Sequence, residues 1–204
     1  MSFFSENRTA GIALMVLGAI NLIVAIVALA TALTAKNIVI SAVVACFGPL
    51  IMAVLYFRFG VSIKNGGVPK KIDILAYFVR LAGLSEIIIA VFNLRNAWET
   101  QGAWAAIGAL AISIIIGLII LFIAGRINDG KQDTGDKIIW IILVVLFAVS
   151  ALLDIFAVVG VIAAGVTLDL AFLSLVIVPI VSFIIDVFML LLLFDSDVKR
   201  EMNM

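Results

Sequence analysis

Residues 103–124 read AWAAIGALAISIIIGLIILFIA, 22 positions without one charged side chain. At 1.5 Å per residue this run makes a helix of about 33 Å, enough to cross the hydrocarbon core of a bilayer. A strand reading fails because the run lacks period-2 alternation and an open sheet edge cannot face lipid. Five further runs are long and apolar in the same way, so the spans fall at roughly 10–34, 38–57, 72–94, 103–124, 138–164 and 171–194. The expected fold is all-α, a polytopic membrane protein of six transmembrane helices bundled in a single domain over residues 1–204.

Composition agrees. The chain is 66% hydrophobic and 13% charged, against about 45–50% and about 25% for a soluble domain. A small globule has too little interior to hide that excess, which leaves lipid as the solvent and partner. The formal net charge of zero gives no reason to expect a nucleic-acid partner. Cys46 is the only cysteine and sits in an apolar run, where a thiol packs as a small hydrophobe. Histidine is absent, which removes imidazole metal sites and every Ser-His or Cys-His nucleophile. The polar start Ser5-Glu6-Asn7-Arg8 leads into a full-length apolar run with no convincing cleavage site, so this segment reads as the first span.

The connections alternate in character. Those after spans one, three and five are short: Ala35 to Asn37, Arg95 to Gly102, and Gly165 to Leu170. Those after spans two and four are longer and carry turn residues: Asn65-Gly66-Gly67 with Pro69, and Asn128-Asp129-Gly130. Arg8, Arg58, Lys64, Lys70, Lys71, Arg126, Lys131, Lys137, Lys199 and Arg200 fall on one side, and only Lys36 and Arg95 on the other. The positive-inside rule makes the richer side, with both termini, cytoplasmic. Trp98 and Trp104 then mark the outer interface and Trp140 the inner one. High Ile, Val and Ala with short loops point to a prokaryotic plasma membrane. The spacing suggests three tandem hairpins, 9–66, 72–130 and 136–200, repeated about an axis along the membrane normal.

Helices in lipid associate by close packing, so small residues mark where backbones approach. Ala105, Ala109, Ser113 and Gly117 lie four apart on span four. Span one offers Asn21, Ala25, Ala28, Ala32 and Ala35; span five offers Ser150, Ala157 and Ala164. On span three, Ala82, Gly83, Glu86, Ala90 and Asn93 share about a third of the circumference. These seams serve the bundle's own packing first, and self-association or other membrane subunits second. Pro49 and Pro179 each remove an amide inside a span and predict kinks that disturb the carbonyls of Ala45 and Leu175.

Arg80, Glu86, Asp154 and Asp186 lie inside spans, with Asn21 as a neutral companion. A charge at a helix centre costs at least ~2.5–3.5 kcal/mol, so such groups turn inward, pair or change protonation. Counting along the helices puts Arg80 and Asp186 each ~12 Å in from the inner side, with Glu86 ~21 Å and Asp154 ~24 Å in. Depth therefore predicts a structural Arg80–Asp186 ion pair. It also predicts a second site of Glu86 with Asp154, with Ser150 one turn away. Two carboxylates together in low dielectric share a proton or hold a cation. The segment Val149 to Phe156 echoes Val181 to Phe188, with a serine and an aspartate at matching places. Antiparallel spans would set the copies at different depths, so the echo reads as chance in an Ile/Val-rich vocabulary.

No HExxH motif, phosphate loop or intramembrane serine-protease element is present, so the chain is expected not to be an enzyme and to need no cofactor or metal. The expected function is a small carrier or channel-like protein using an intramembrane carboxylate site for protons or cations. Two alternatives stand beside it: a non-catalytic accessory subunit of a larger membrane complex, and a substrate-binding membrane component of a multi-subunit importer.

Overall fold

A computed structural model describes residues 7–130, 134–164 and 170–204, the side chains of 170–174 excepted. The helices are α1 (Asn7–Thr34), α2 (Ile40–Ala45), α3 (Phe47–Lys64), α4 (Lys71–Gln101), α5 (Ala103–Ile127), α6 (Thr134–Ala163), α7 (Leu170–Leu193) and α8 (Ser196–Glu201). Six segments are long and apolar enough to span a membrane, with α2 and α3 together forming the second. No strand occurs among the described residues. The protein is an all-α bundle of six such helices. Residues 165–169, most of the expected fifth connection, and Lys131 lie outside the described residues.

The outer surface is what a bilayer requires. Phe122 is 71% exposed and Phe156 68%, and isoleucines and leucines run along α5 and α6 between them. An apolar surface of that extent would aggregate in water but is matched to acyl chains.

Consecutive spans pair as hairpins: α1 with α3, α4 with α5, and α6 with α7 make the most extensive contacts. The α1–α3 pair is drawn together by glycine. A Cβ on Gly11 would lie 2.9 Å from the Gly60 carbonyl oxygen, and one on Gly18 only 2.6 Å from the Phe57 nitrogen. The α4–α5 pair crosses where Gly83 and Gly117 meet, each hypothetical Cβ within 2.9 Å of the other's carbonyl oxygen. The seams read on spans three and four thus face one another. The α1–α3 crossing lies below the alanine stripe of span one, at glycines that were not part of that stripe. On α6, Ser150 turns toward α7, but Ala157 and Ala164 are exposed, so that seam closes at one end only.

One boundary differs from expectation. The segment Arg95 to Gly102 is not a loop: α4 continues to Gln101, supported by the Arg95–Glu99 pair at 3.0 Å and the Thr100 hydroxyl donating to Asn96. Gly102, at φ 90°, makes the turn into α5 almost alone, a conformation that favours glycine. At Pro49 the kink is real. The helix breaks at Cys46, whose amide bonds Val43 in a tighter turn, separating α2 from α3. α7 instead continues through Pro179 without a break.

The start of α1 at Asn7 and the C-terminal residues sit at one end of the bundle. There Asn7 donates to the Pro69 carbonyl at 2.6 Å, and Lys71 pairs with Asp195 at 2.6 Å. Asp195 also caps α8, accepting from the Asp197 amide. α8 folds back so that Val198 and Met202 are buried. The densest core lies in this half, around Leu14, Ile63, Ile74, Leu75, Met189 and Leu192. Toward the other end buried residues become sparse.

Candidate functional site

The α6–α7 hairpin carries the site. Its register is set near the termini end by Trp140, whose Nε1–H donates to the Leu193 carbonyl at 2.8 Å and whose ring meets Phe194 edge-on at 5.4 Å. From there α6 turns Leu143, Phe147 and Ala151 inward, and α7 turns Met189, Phe188, Ile185 and Val181 to meet the core.

Above this apolar layer the two helices exchange polar groups reciprocally. Ser150 of α6 faces Asp186 of α7 as its hydrogen-bond partner, and Ser182 of α7 faces Asp154 of α6 in the same way. Both motifs are Ser-x-x-x-Asp, one turn long. In an antiparallel pair the serine of each falls opposite the aspartate of the other. The sequence echo is therefore not chance but the two halves of one site. Different depths for the two aspartates are what the arrangement needs, since the carboxyls sit about one turn, ~6 Å, apart along the hairpin. Asp186 is buried and Asp154 half-buried. The carboxyls also sense each other electrostatically. Oδ2 of each is buried without a hydrogen-bond partner among the described residues.

An aromatic wall closes the inner side. Tyr56 of α3 packs on Phe78 of α4 at 5.6 Å between ring centres, and Phe78 on Phe147 of α6 at 6.2 Å. Tyr56 lies within electrostatic range of Asp186. Sequence reasoning missed both Tyr56 and Ser182. The signal for Ser182 was present in the echo, whereas nothing local distinguishes Tyr56 from any aromatic in a span.

Two pairings expected from depth are not formed. Arg80 makes no ion pair with Asp186 among the described residues; its guanidinium lies over the Tyr77 ring, 5.3 Å from the centroid. Glu86 does not meet Asp154; it is exposed and lines a groove between α4 and α5. The reason is the same in both cases: residue counting fixes height along the bundle but not the direction around each helix. Asn21 is half-buried on α1, which packs mainly on α3 and then on α7. Among the described residues no three acidic or cysteine side chains converge. A cation here would have two carboxyls and two hydroxyls, all hard oxygen donors that suit protons or alkali and alkaline-earth ions over thiophilic metals.

No protein family, curated protein or solved structure matches this chain. Its functional reading therefore rests on its own geometry.

Proposed function

We propose that this integral membrane protein is a small carrier or channel-like protein that moves protons or a small cation through the Asp154–Asp186 carboxyl pair. The observation that supports it is the buried, unpartnered Oδ2 on each carboxyl, held at membrane depth beside a serine from the opposite helix. A purely structural pair would be expected to close its hydrogen bonds, because an unsatisfied buried oxygen is costly. Two such oxygens one turn apart make sequential stations for a proton or ion, and ionisable groups inside spans mark such pathways. The chemistry asks for no covalent step, and the protein is not an enzyme in this reading.

The orientation follows from charge. The end carrying the start of α1 and the C-terminal residues holds Arg8, Lys70, Lys71, Lys199 and Arg200, and the other end Lys36 and Arg95. The positive-inside rule makes the terminal end cytoplasmic in a plasma membrane. Asp186 is then the station nearer the cytoplasm and Asp154 the outer one.

The test is flux into proteoliposomes of the purified chain, read by an internal pH dye under an imposed gradient, then with sodium or potassium gradients. Wild type should conduct, and Asp154→Asn and Asp186→Asn should each abolish flux. Undiminished flux in the double amide variant would remove the reading. The accessory-subunit alternative has its own support in α5, where Gly108 and Gly125 open onto empty space on a helix packed mainly against α4. It predicts no flux from the chain alone and co-purification with further membrane subunits.

A further inference from the structure

Each serine of the α6–α7 site stands between two carboxyls. Ser182 donates across the hairpin to Asp154 and lies one turn from Asp186 on its own helix. Ser150 donates across to Asp186 and lies one turn from Asp154. Side chains one turn apart on a helix have Cβ atoms about 5–6 Å apart. The four groups therefore form a ring in which carboxyls and hydroxyls alternate. A hydroxyl donates one hydrogen and keeps two lone pairs. Each serine that donates across the hairpin thus has an oxygen that can still accept along its own helix. The unpartnered Oδ2 of each aspartate supplies that hydrogen once it is protonated.

The same ring offers little to a metal ion. A cation stripped of its water is held by about six oxygens. Here two carboxyls and two hydroxyls are spread over a helical turn, and among the described residues no third acidic or cysteine side chain joins them. α6 and α7 run as unbroken helix through both turns, so the carbonyls there are taken by helical amides. Neither aspartate pairs with a lysine or arginine among the described residues. A monovalent ion would leave one of the two carboxylates uncompensated in low dielectric, whereas each carboxyl neutralises itself by taking a proton.

Resting on the carboxyl-pair reading above, we propose that the species carried is the proton, handed between Asp186 and Asp154 by the hydroxyls of Ser182 and Ser150. In the outward hop, a turn about the Asp186 Cβ–Cγ bond brings its Oδ2–H to the Ser182 oxygen. That O–H bond breaks as a new one forms on Ser182. The hydrogen that Ser182 held passes along its existing bond to Asp154, where the last O–H forms. Asp186 is left a carboxylate and Asp154 a neutral acid, and every electron pair stays on its oxygen. Ser150 serves in the same way between Asp154 and Asp186. Rotation about each serine's Cβ–Oγ bond resets the ring, and the two helices stay together throughout.

The experiment compares fluxes into proteoliposomes of the full-length chain: an internal pH dye under a proton gradient in choline salts, and uptake of radioactive sodium or rubidium at constant pH. Proton flux without sodium or rubidium uptake is expected. Ser150→Ala combined with Ser182→Ala should lower proton flux at least about tenfold, since a positioned proton donor is worth that or more. Ser150→Thr combined with Ser182→Thr keeps both hydroxyls and should retain most of the flux. Sodium or rubidium uptake that Asp154→Asn and Asp186→Asn abolish would overturn the proton assignment and leave the carboxyl pathway standing. Proton flux that the amides abolish but the alanine pair leaves at the wild-type level would overturn the serine relay and again spare the pathway. Equal loss in the alanine and threonine pairs would also overturn the relay, making the serines positioning groups. Flux that is absent, or indifferent to the amides, would remove the pathway itself and this inference with it.

Discussion

Adding one methyl group to Gly117 should loosen the α4–α5 hairpin, and adding it to Gly108 on the same helix should not. At Gly117 the new Cβ would lie 2.8 Å from the Gly83 carbonyl oxygen, where ordinary contact begins at 3.4 Å. The Ile87 side chain lies as near, but the backbone oxygen cannot swing aside, so the helices must move apart by about half an ångström, a gap that forfeits roughly a quarter of each contact's dispersion well along the crossing. Overpacking of this kind costs about 1–3 kcal/mol. Replacing a helical glycine by alanine returns about 0.5–1 kcal/mol of backbone entropy. The net for Gly117→Ala is therefore destabilisation of up to about 2.5 kcal/mol. Gly83→Ala should behave alike, since its Cβ would meet the Gly117 oxygen at 2.9 Å. At Gly108 and Gly125 nothing lies within 4 Å, so only the entropy gain remains and each should stabilise by up to about 1 kcal/mol. Reversible unfolding in bicelles, followed by steric trapping, resolves differences of this size. The reasoning fails if Gly117→Ala and Gly108→Ala shift stability in the same direction by the same amount.

Reciprocal pairing makes Ser182→Ala perturb Asp154 and Ser150→Ala perturb Asp186; infrared carboxyl bands assigned with Asp154→Asn and Asp186→Asn should each move with the opposite helix's serine and not with the serine one turn away on their own. Arg80→Met should cost no more than about 1 kcal/mol, the worth of a cation–π contact with Tyr77, whereas a buried Asp186 partner would cost about 3–5 kcal/mol on removal; the same unfolding assay separates the two. Burial works to raise the Asp195 carboxyl, but the Lys71 ammonium and the Asp197 and Val198 amides outweigh it and hold Asp195 below its ordinary range. A depressed folded-state value stabilises above the unfolded value of about 3.9 and is lost as pH falls below it. Amide exchange in α8 should therefore accelerate below about pH 4 in wild type, and Asp195→Asn should show fast exchange already at neutral pH.

The six helices were legible because hydrocarbon imposes a simple rule, about 20 apolar residues per crossing, and the chain obeys it six times. The Gly83 and Gly117 seams were legible for a related reason: four-residue spacing reports a face directly. The site was legible in part. Asp154, Asp186 and Ser150 stood out because charge and hydroxyls are rare inside spans, yet their partners were misassigned. Arg80 and Glu86 share depths with Asp186 and Asp154, but each lies on a different face of α4 from the one its expected partner approaches. Azimuth follows from which helices pack, and that was settled by glycine crossings such as Gly11 with Gly60, whose meaning emerges only when both partners are known. Tyr56 shows the same limit, since its position within electrostatic range of Asp186 depends on how α3 and α7 are placed around the bundle.

The exchange between Ser150–Asp186 and Ser182–Asp154 also restricts how the protein can move. Each carboxyl draws its hydroxyl from the opposite helix, so parting α6 from α7 would strip both carboxyls at once inside the membrane. That costs two hydrogen bonds together and adds two unsatisfied carboxyl oxygens to the two that already lack a partner among the described residues, a penalty no compensating lipid contact can offset. Any motion that opens the site must then leave the hairpin whole and displace it against its surroundings. The contacts suit that division. α6 and α7 hold each other extensively, while their links to the other helices are fewer, chiefly α7 on α1. The half of the bundle beyond the two carboxyls is also the half in which buried side chains are sparse. The α1–α7 interface, not the α6–α7 one, is therefore where access to Asp186 would change. A disulfide clamping α1 to α7 should stop flux that the same clamp between α6 and α7 leaves intact. Flux stopped only by the α6–α7 clamp would mean that the two Ser-x-x-x-Asp turns separate in operation and are not one rigid site.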